Sequence, residues 1–319
     1  MKLPIVNIYE INTDNFASLP KKFICNDHML EVDATGTNKL ISQLNQYAID
    51  HNKHFDIIHH QVPSKSANWA NLNISFSAEL QQSTNFNHFV NYRRHPQIDY
   101  ENFICSFNGS DHVSRKLLVS ILQKFGYFSL NHCSKNFTYT TDILDGHIHN
   151  YVSDNDRFFR KFFISADSEA FFQSINSFGH VRFAHNKNIY NLELKLTKSF
   201  LHIVSETIAT SYVPFITEKF LYSIVTRGLF LSYAQPNWHA YIEKYYGFKL
   251  YTRIFNYQFD SIQNPVERLV ELITMISKFS RLSPHEWHDL YLLEQDTIEY
   301  NYDHYFSKQY FVSLEKYND

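Results

Sequence analysis

The chain has 319 residues, 44% of them hydrophobic, which is enough to bury a core in each of two ordinary domains. Lys+Arg 29 against Asp+Glu 32 leaves a formal charge of −3, which argues against the basic footprint of a dedicated duplex binder and leaves a local groove for a nucleotide open. Only 7 glycines occur, in neither a GxGxxG nor a GxxxxGK[ST] pattern, so a bound nucleotide would have to be held by side chains and helix ends.

Three widely spaced cysteines, Cys25, Cys105 and Cys133, form no CxxC pair and point to a reducing compartment. The first residues, MKLPIVNIYEINTDNF, lack the apolar stretch of a signal peptide, and nowhere do about 18 apolar residues run together. A cytoplasmic protein is therefore expected. Aromatic content of 17% accompanies many Asn, Lys and Ile residues, a bias that AT-rich codons explain without any function.

In chain order, residues 5–9 read as a strand, 38–50 as an amphipathic helix, 55–62 as a strand, and 72–77 and 86–92 as two more. The polar, proline-bearing segment YRRHPQIDY separates this region from the strand-like NFICSF. NGSDH then precedes Val113, Leu117, Leu118, Ile121, Leu122 and Phe125 at helical spacing, with Gly126 as the stop. Further on, SFLHIV reads as a buried strand, TEKFLYSIVTR as a helix ending at Gly228, and LFLSYA as the next strand. PNWHAYIEKYYG is predicted as a helix feeding a short strand at FKLY, and NPVERLVELITMISKFS as another helix capped by Asn264. Ser283 and Glu286 form a capping-box pattern with Pro284 between them. Such alternation implies an α/β protein with parallel sheets, whose ligands sit beyond the carboxyl ends of the strands.

Two places in that frame suit an anion. In NGSDHVSRKLL, Arg115 lies near the exposed N–H groups of a helix start; in PFITEKFLYSI, Thr217 can cap a helix whose first turn carries Glu218 and Lys219. An ordinary solvated arginine and an ordinary Thr-Glu cap are the competing readings. Lys219 is the exception, since a cation in the first turn opposes the helix dipole and calls for another reason.

The stretches ICSFNGSDHVSRKLLVSILQK and SFLHIVSETIATSYVPFITEKFLYSIVTRG resemble the donor-binding domain of α-1,3-fucosyltransferase-like enzymes, in particular divergent members from bacteria and their viruses. The resemblance spans residues from about 100 to 280 and rests on "TEK" in its strand-loop-helix-strand context, preceded by the Arg-bearing helix. It implies two Rossmann-like domains facing each other across a cleft, the GT-B arrangement. Residues 1–97 would form the acceptor side and 98–282 the nucleotide-sugar-binding side, with a helical segment, 283–319, packing back on the first domain. By the same resemblance, Arg115 and Lys219 would hold the donor pyrophosphate and Glu218 would bond the ribose, with Thr217, the cap of that helix, counted in the donor site. Glu206, at the carboxyl end of its strand, would contact donor or acceptor, with a helix cap or loop hydrogen bond as the competing reading. Ala209 and Phe215 stand where the family commonly has Asn and Tyr, so the GDP-fucose identity does not carry across and a GDP- or UDP-sugar remains open.

An inverting transfer needs a carboxylate to deprotonate the acceptor hydroxyl, and Glu79 is the candidate; an exposed loop glutamate without a role is the competing reading. His59-His60, His147 with His149, and Asp154-Asn155-Asp156 lack the partners of a metal site, so no metal is expected. Trp238 and Tyr241 follow helical spacing and are expected in the core. The expected acceptor is a glycan. A hydroxylated base in phage DNA is the first alternative, and a catalytically inactive nucleotide- or glycan-binding module the second.

Overall fold

The computed structural model describes residues 4–6, 12–25, 39–59, 70–76, 90, 100–108, 113–128, 133–135, 195–206, 209 and 219–307. The described strands make two four-stranded sheets in which every pairing is parallel. In the first sheet, β1 (Ile5–Val6), β2 (Lys22–Cys25), β3 (Phe55–His59) and β4 (Leu72–Phe76) stand in chain order. Parallel neighbours need a crossover rather than a tight turn, and α1 (Lys39–Asp50) lies in the one from β2 to β3. Ile41, Leu44 and Ala48 share one face of α1 and close an apolar core with Phe16, Phe23, Phe55, Ile57 and Leu72.

The second sheet contains β5 (Asn102–Asn108), β6 (Cys133–Lys135), β7 (Ser199–Ser205) and β8 (Leu229–Tyr233), in the order β6-β5-β7-β8. Helices described alongside it include α2 (Val113–Lys124), α3 (Leu221–Val225), α4 (Trp238–Tyr246), α5 (Pro265–Ser277), α6 (Pro284–Leu293) and α7 (Gln295–Phe306). Every residue of β7 and β8 is buried, so both faces of these strands are covered, as a parallel sheet clad by helices requires. Trp287 of α6 stacks on Phe200 and Phe103 with ring centroids 5.9 Å from each. Phe220, Phe230, Trp238 and Phe248 interlock mostly edge to face in the same core. Trp238 is fully buried, as its spacing predicts, whereas Tyr241 is only half-buried.

Helix ends follow their caps. Gly126, at φ 75°, ends α2 with its N–H on the Gln123 carbonyl and the Tyr127 N–H on the Leu122 carbonyl. The Asn264 side chain accepts the Val266 and Glu267 N–H groups at the start of α5, and Ser283 with Glu286 completes the capping box of α6.

Three expectations change. FKLY forms no strand: the side-chain amide of Asn301 takes both the N–H and the carbonyl of Lys249, and the Tyr257 hydroxyl accepts the Tyr251 N–H. These side chains satisfy the backbone in place of a ladder. The TEK helix is shorter than its pattern, because Lys219 and Phe220 form a turn and α3 begins at Leu221. Its left-handed ending falls on Arg227, φ 52°, instead of Gly228. Tyr302, whose ring lies under the guanidinium at 3.7 Å, the carboxylate of Glu299 and the Tyr291 hydroxyl on the Arg227 carbonyl offset that backbone cost.

Within the segment 283–319, the described residues Trp287, Tyr291, Ile298 and Tyr305 are buried in the core of the second sheet. The boundary at 97–98 and the strand at 86–92 lie outside the described residues except Val90, and so do the histidines at 147 and 149 and the DND triplet at 154–156.

His202 on β7 is fully buried, with Nδ1 2.6 Å from Ser223 Oγ, and burial pulls its pKa down from 6.5 to about 3. The folded state therefore binds fewer protons here than the unfolded chain, and this stability is whole above the ordinary value and lost as pH falls towards about 3. At pH 5 the wild type should lose about 2 kcal/mol through this residue relative to pH 7.5. Urea titrations at the two pH values should show that loss shrinking in H202Q; an equal loss in both proteins would refute the assignment.

Candidate functional site

The strand order of the second sheet marks the place where a parallel sheet of this kind takes a ligand. After β5 the described chain adds β6 on one side and then returns to add β7 on the other, so the order reverses between β5 and β7. At such a reversal the connections leave in opposite directions, and the carboxyl ends of the two strands open a gap where ligands bind. The register pairs Ile104 with Leu201 and Cys105 with His202, and the same offset sets Asn108 level with Ser205 at the two carboxyl ends.

Buried polar side chains collect there. Asn108 donates its amide to the Ser106 hydroxyl at 3.1 Å, which donates to the Ile203 carbonyl at 2.9 Å. Directly after β7 stands Glu206, with no exposed surface. Its N–H donates to the Tyr233 carbonyl, continuing the ladder with β8, and its own carbonyl accepts the Ser114 hydroxyl at 3.0 Å and the Ser205 hydroxyl at 3.3 Å. Its carboxylate lies 3.9 Å from the Lys219 ammonium, whose side chain keeps 22% of its surface exposed. An unmet carboxylate at this depth would cost several kcal/mol, and the nearby ammonium offsets part of that cost.

Glu206 thus joins the segments that the sequence nominates separately. Ser114 brings the start of α2, and Arg115, buried to 3% exposure, is the next residue. Lys219 comes from the turn before α3 and reaches the site as a point charge, since a five-residue helix adds little dipole. Thr217, Glu218 and Glu79 lie outside the described residues; Glu79 follows the carboxyl end of β4 by three positions in the sequence.

The exit of β8 is closed to an anion. Asp260 accepts the His239 and Ala240 N–H groups at 3.0 and 3.3 Å and sits 2.7 Å from His239 Nδ1, so a carboxylate already covers the start of α4. The other nitrogen of His239 accepts the Ser232 N–H at 3.0 Å.

Sequence reasoning missed Ser114, Asn108 and Arg268. Ser114 directly precedes the nominated arginine, and a hydroxyl in a helix's first turn is a usable signal. Arg268 was hidden because it stands off the apolar stripe of α5, although Leu272 at i+4 marks a second covered face. Among the described residues, no group of three or more His, Cys, Asp or Glu could hold a metal ion, and no helix is long and apolar enough to cross a membrane. No family model, curated protein or solved structure matches the chain.

Lys219→Met and Glu206→Gln should each lower stability, and in the double mutant the loss should fall short of the sum by about 0.5–3 kcal/mol. Denaturant midpoints of the four proteins measure this, and additive losses would show that the pair contributes no coupling.

Proposed function

We propose that the chain is a glycosyltransferase that binds a nucleotide-sugar at the carboxyl ends of β5 and β7 and transfers the sugar to an acceptor hydroxyl with inversion. The observation that carries the reading is the convergence at Glu206 of the start of α2 and the turn bearing Lys219, segments about 100 residues apart, at the reversal of strand order. The resemblance to α-1,3-fucosyltransferase-like enzymes, through TEK and the Arg115 helix, supports the same assignment.

In this reading Arg115 and Lys219 neutralise the departing nucleoside diphosphate. Negative charge accumulates on that group as its bond to the anomeric carbon breaks, so cations fixed there lower the barrier. Glu206 keeps Lys219 in place, its carboxylate holding the ammonium from the buried side while the exposed side meets the diphosphate. Glu218 bonds the ribose, Thr217 caps the helix start that presents it, and Glu79 from the first domain takes the acceptor proton. The two sheets correspond to two Rossmann-like domains with the reaction in the cleft between them, closed to water. The acceptor is a glycan and the donor base guanine or uracil.

Binding to the folded state must raise its melting temperature, by about 2.7 kcal/mol of stabilisation at a hundredfold excess over Kd. In a thermal-shift comparison of UDP, GDP, CMP and dTDP, one nucleotide should raise the melting temperature. K219A and R115A should each weaken that nucleotide by about tenfold or more. Absence of any shift, together with no hydrolysis of any nucleotide-sugar, would remove the reading. With an acceptor in hand, a shallow salt dependence of its binding fits a glycan, and a steep one would point to nucleic acid.

A further inference from the structure

Arg268 is an arginine buried to 1% exposure, and among the described residues its side chain donates to main-chain carbonyls. From α5 its Nε donates to the Ala234 carbonyl at 3.0 Å, one terminal nitrogen donates to the carbonyls of Ile262 and Gln263, and the other donates to that of Ala209. Burying a guanidinium is costly, and an aliphatic side chain would pack the same space more cheaply. What the planar fork adds is position: its N–H groups diverge at fixed angles and fix several carbonyls relative to one another.

The carbonyls it grips flank Glu206. Ala209 lies three residues beyond Glu206 in the chain, and Ala234 directly follows Tyr233, whose carbonyl accepts the Glu206 N–H. Both segments have just left the sheet, where carbonyls lose their ladder partners and would otherwise stand unsatisfied in the interior. Resting on the diphosphate site proposed above, we infer that Arg268 is a positioning residue for that site. By clamping the exits of β7 and β8 together it fixes Glu206, and through Glu206 it sets where the Lys219 ammonium stands. It touches neither diphosphate nor sugar.

The full-length chain and its R268M and R268K variants test this with inorganic diphosphate and the nucleotide found by thermal shift as probes. Titration calorimetry gives affinity, and hydrogen exchange gives protection of the peptide spanning β7 to Ala209 against that of β5. In R268M, exchange around Glu206 to Ala209 should rise while β5 stays protected, and affinity for both probes should fall about tenfold. R268K keeps one cation but loses the fork, and it should recover part of both losses. If R268M does not fold, R268K decides alone: wild-type affinity and exchange in it would overturn the role. Absence of diphosphate binding by the wild-type chain would sink the site and this role together. Binding by the wild type with unchanged affinity and exchange in folded variants would sink the role and leave the site standing.

Discussion

A carboxylate without exposed surface at the end of a central strand is the constraint around which the second sheet is arranged. Glu206 cannot be left there uncompensated, because desolvating a charge costs more than an ordinary contact returns. Lys219 supplies an opposite charge from the turn before α3, which stands at the end of β7. The backbone of the same residue is equally committed, its N–H to β8 and its carbonyl to Ser114 at the start of α2. One residue thus ties two strands, a helix start and a cation, and the cation keeps part of its surface exposed.

The surroundings show the same use of side chains for work that glycine loops do elsewhere. Asp260 covers the N–H groups at the start of α4, His239 accepts an N–H of β8, Asn301 pairs both backbone groups of Lys249, and Arg268 gathers carbonyls from the strand exits. With 7 glycines in the whole chain, tight phosphate-cradling turns are scarce, and polar side chains satisfy the backbone that such turns would otherwise have to reach. The strand exits differ accordingly: after β8 the Asp260 carboxylate lies on the N–H groups at the start of α4, while the ends of β5 and β7 hold hydroxyls, an amide and the Glu206 carboxylate beside the Lys219 ammonium.

Much of the local structure was legible because it depends on neighbours in sequence. The apolar stripe of α5 with Asn264 before it, the Ser283–Glu286 box, the stop at Gly126 and the runs NFICSF and SFLHIV all stand as their patterns require. Patterns failed where a distant residue competed for the backbone. FKLY has strand-like composition, but Asn301 lies more than 50 residues away and takes its hydrogen bonds. TEKFLYSIVTR has helical spacing, yet its helix begins only at Leu221, after the turn from which Lys219 reaches Glu206.

The sequence by itself determined that this is an α/β chain with parallel strands, where most helices start and stop, that Glu206 follows a strand, and that Arg115 stands near a helix start. Periodicity and capping carry that information, since they act over three or four residues. Only the tertiary structure decided that the β6-β5-β7-β8 order reverses between β5 and β7, that Glu206 is sealed from solvent and faces Lys219, and that Arg268 is internal. Those outcomes depend on which segments become neighbours in space, and burial turns an unremarkable glutamate or arginine into a group whose charge must be met.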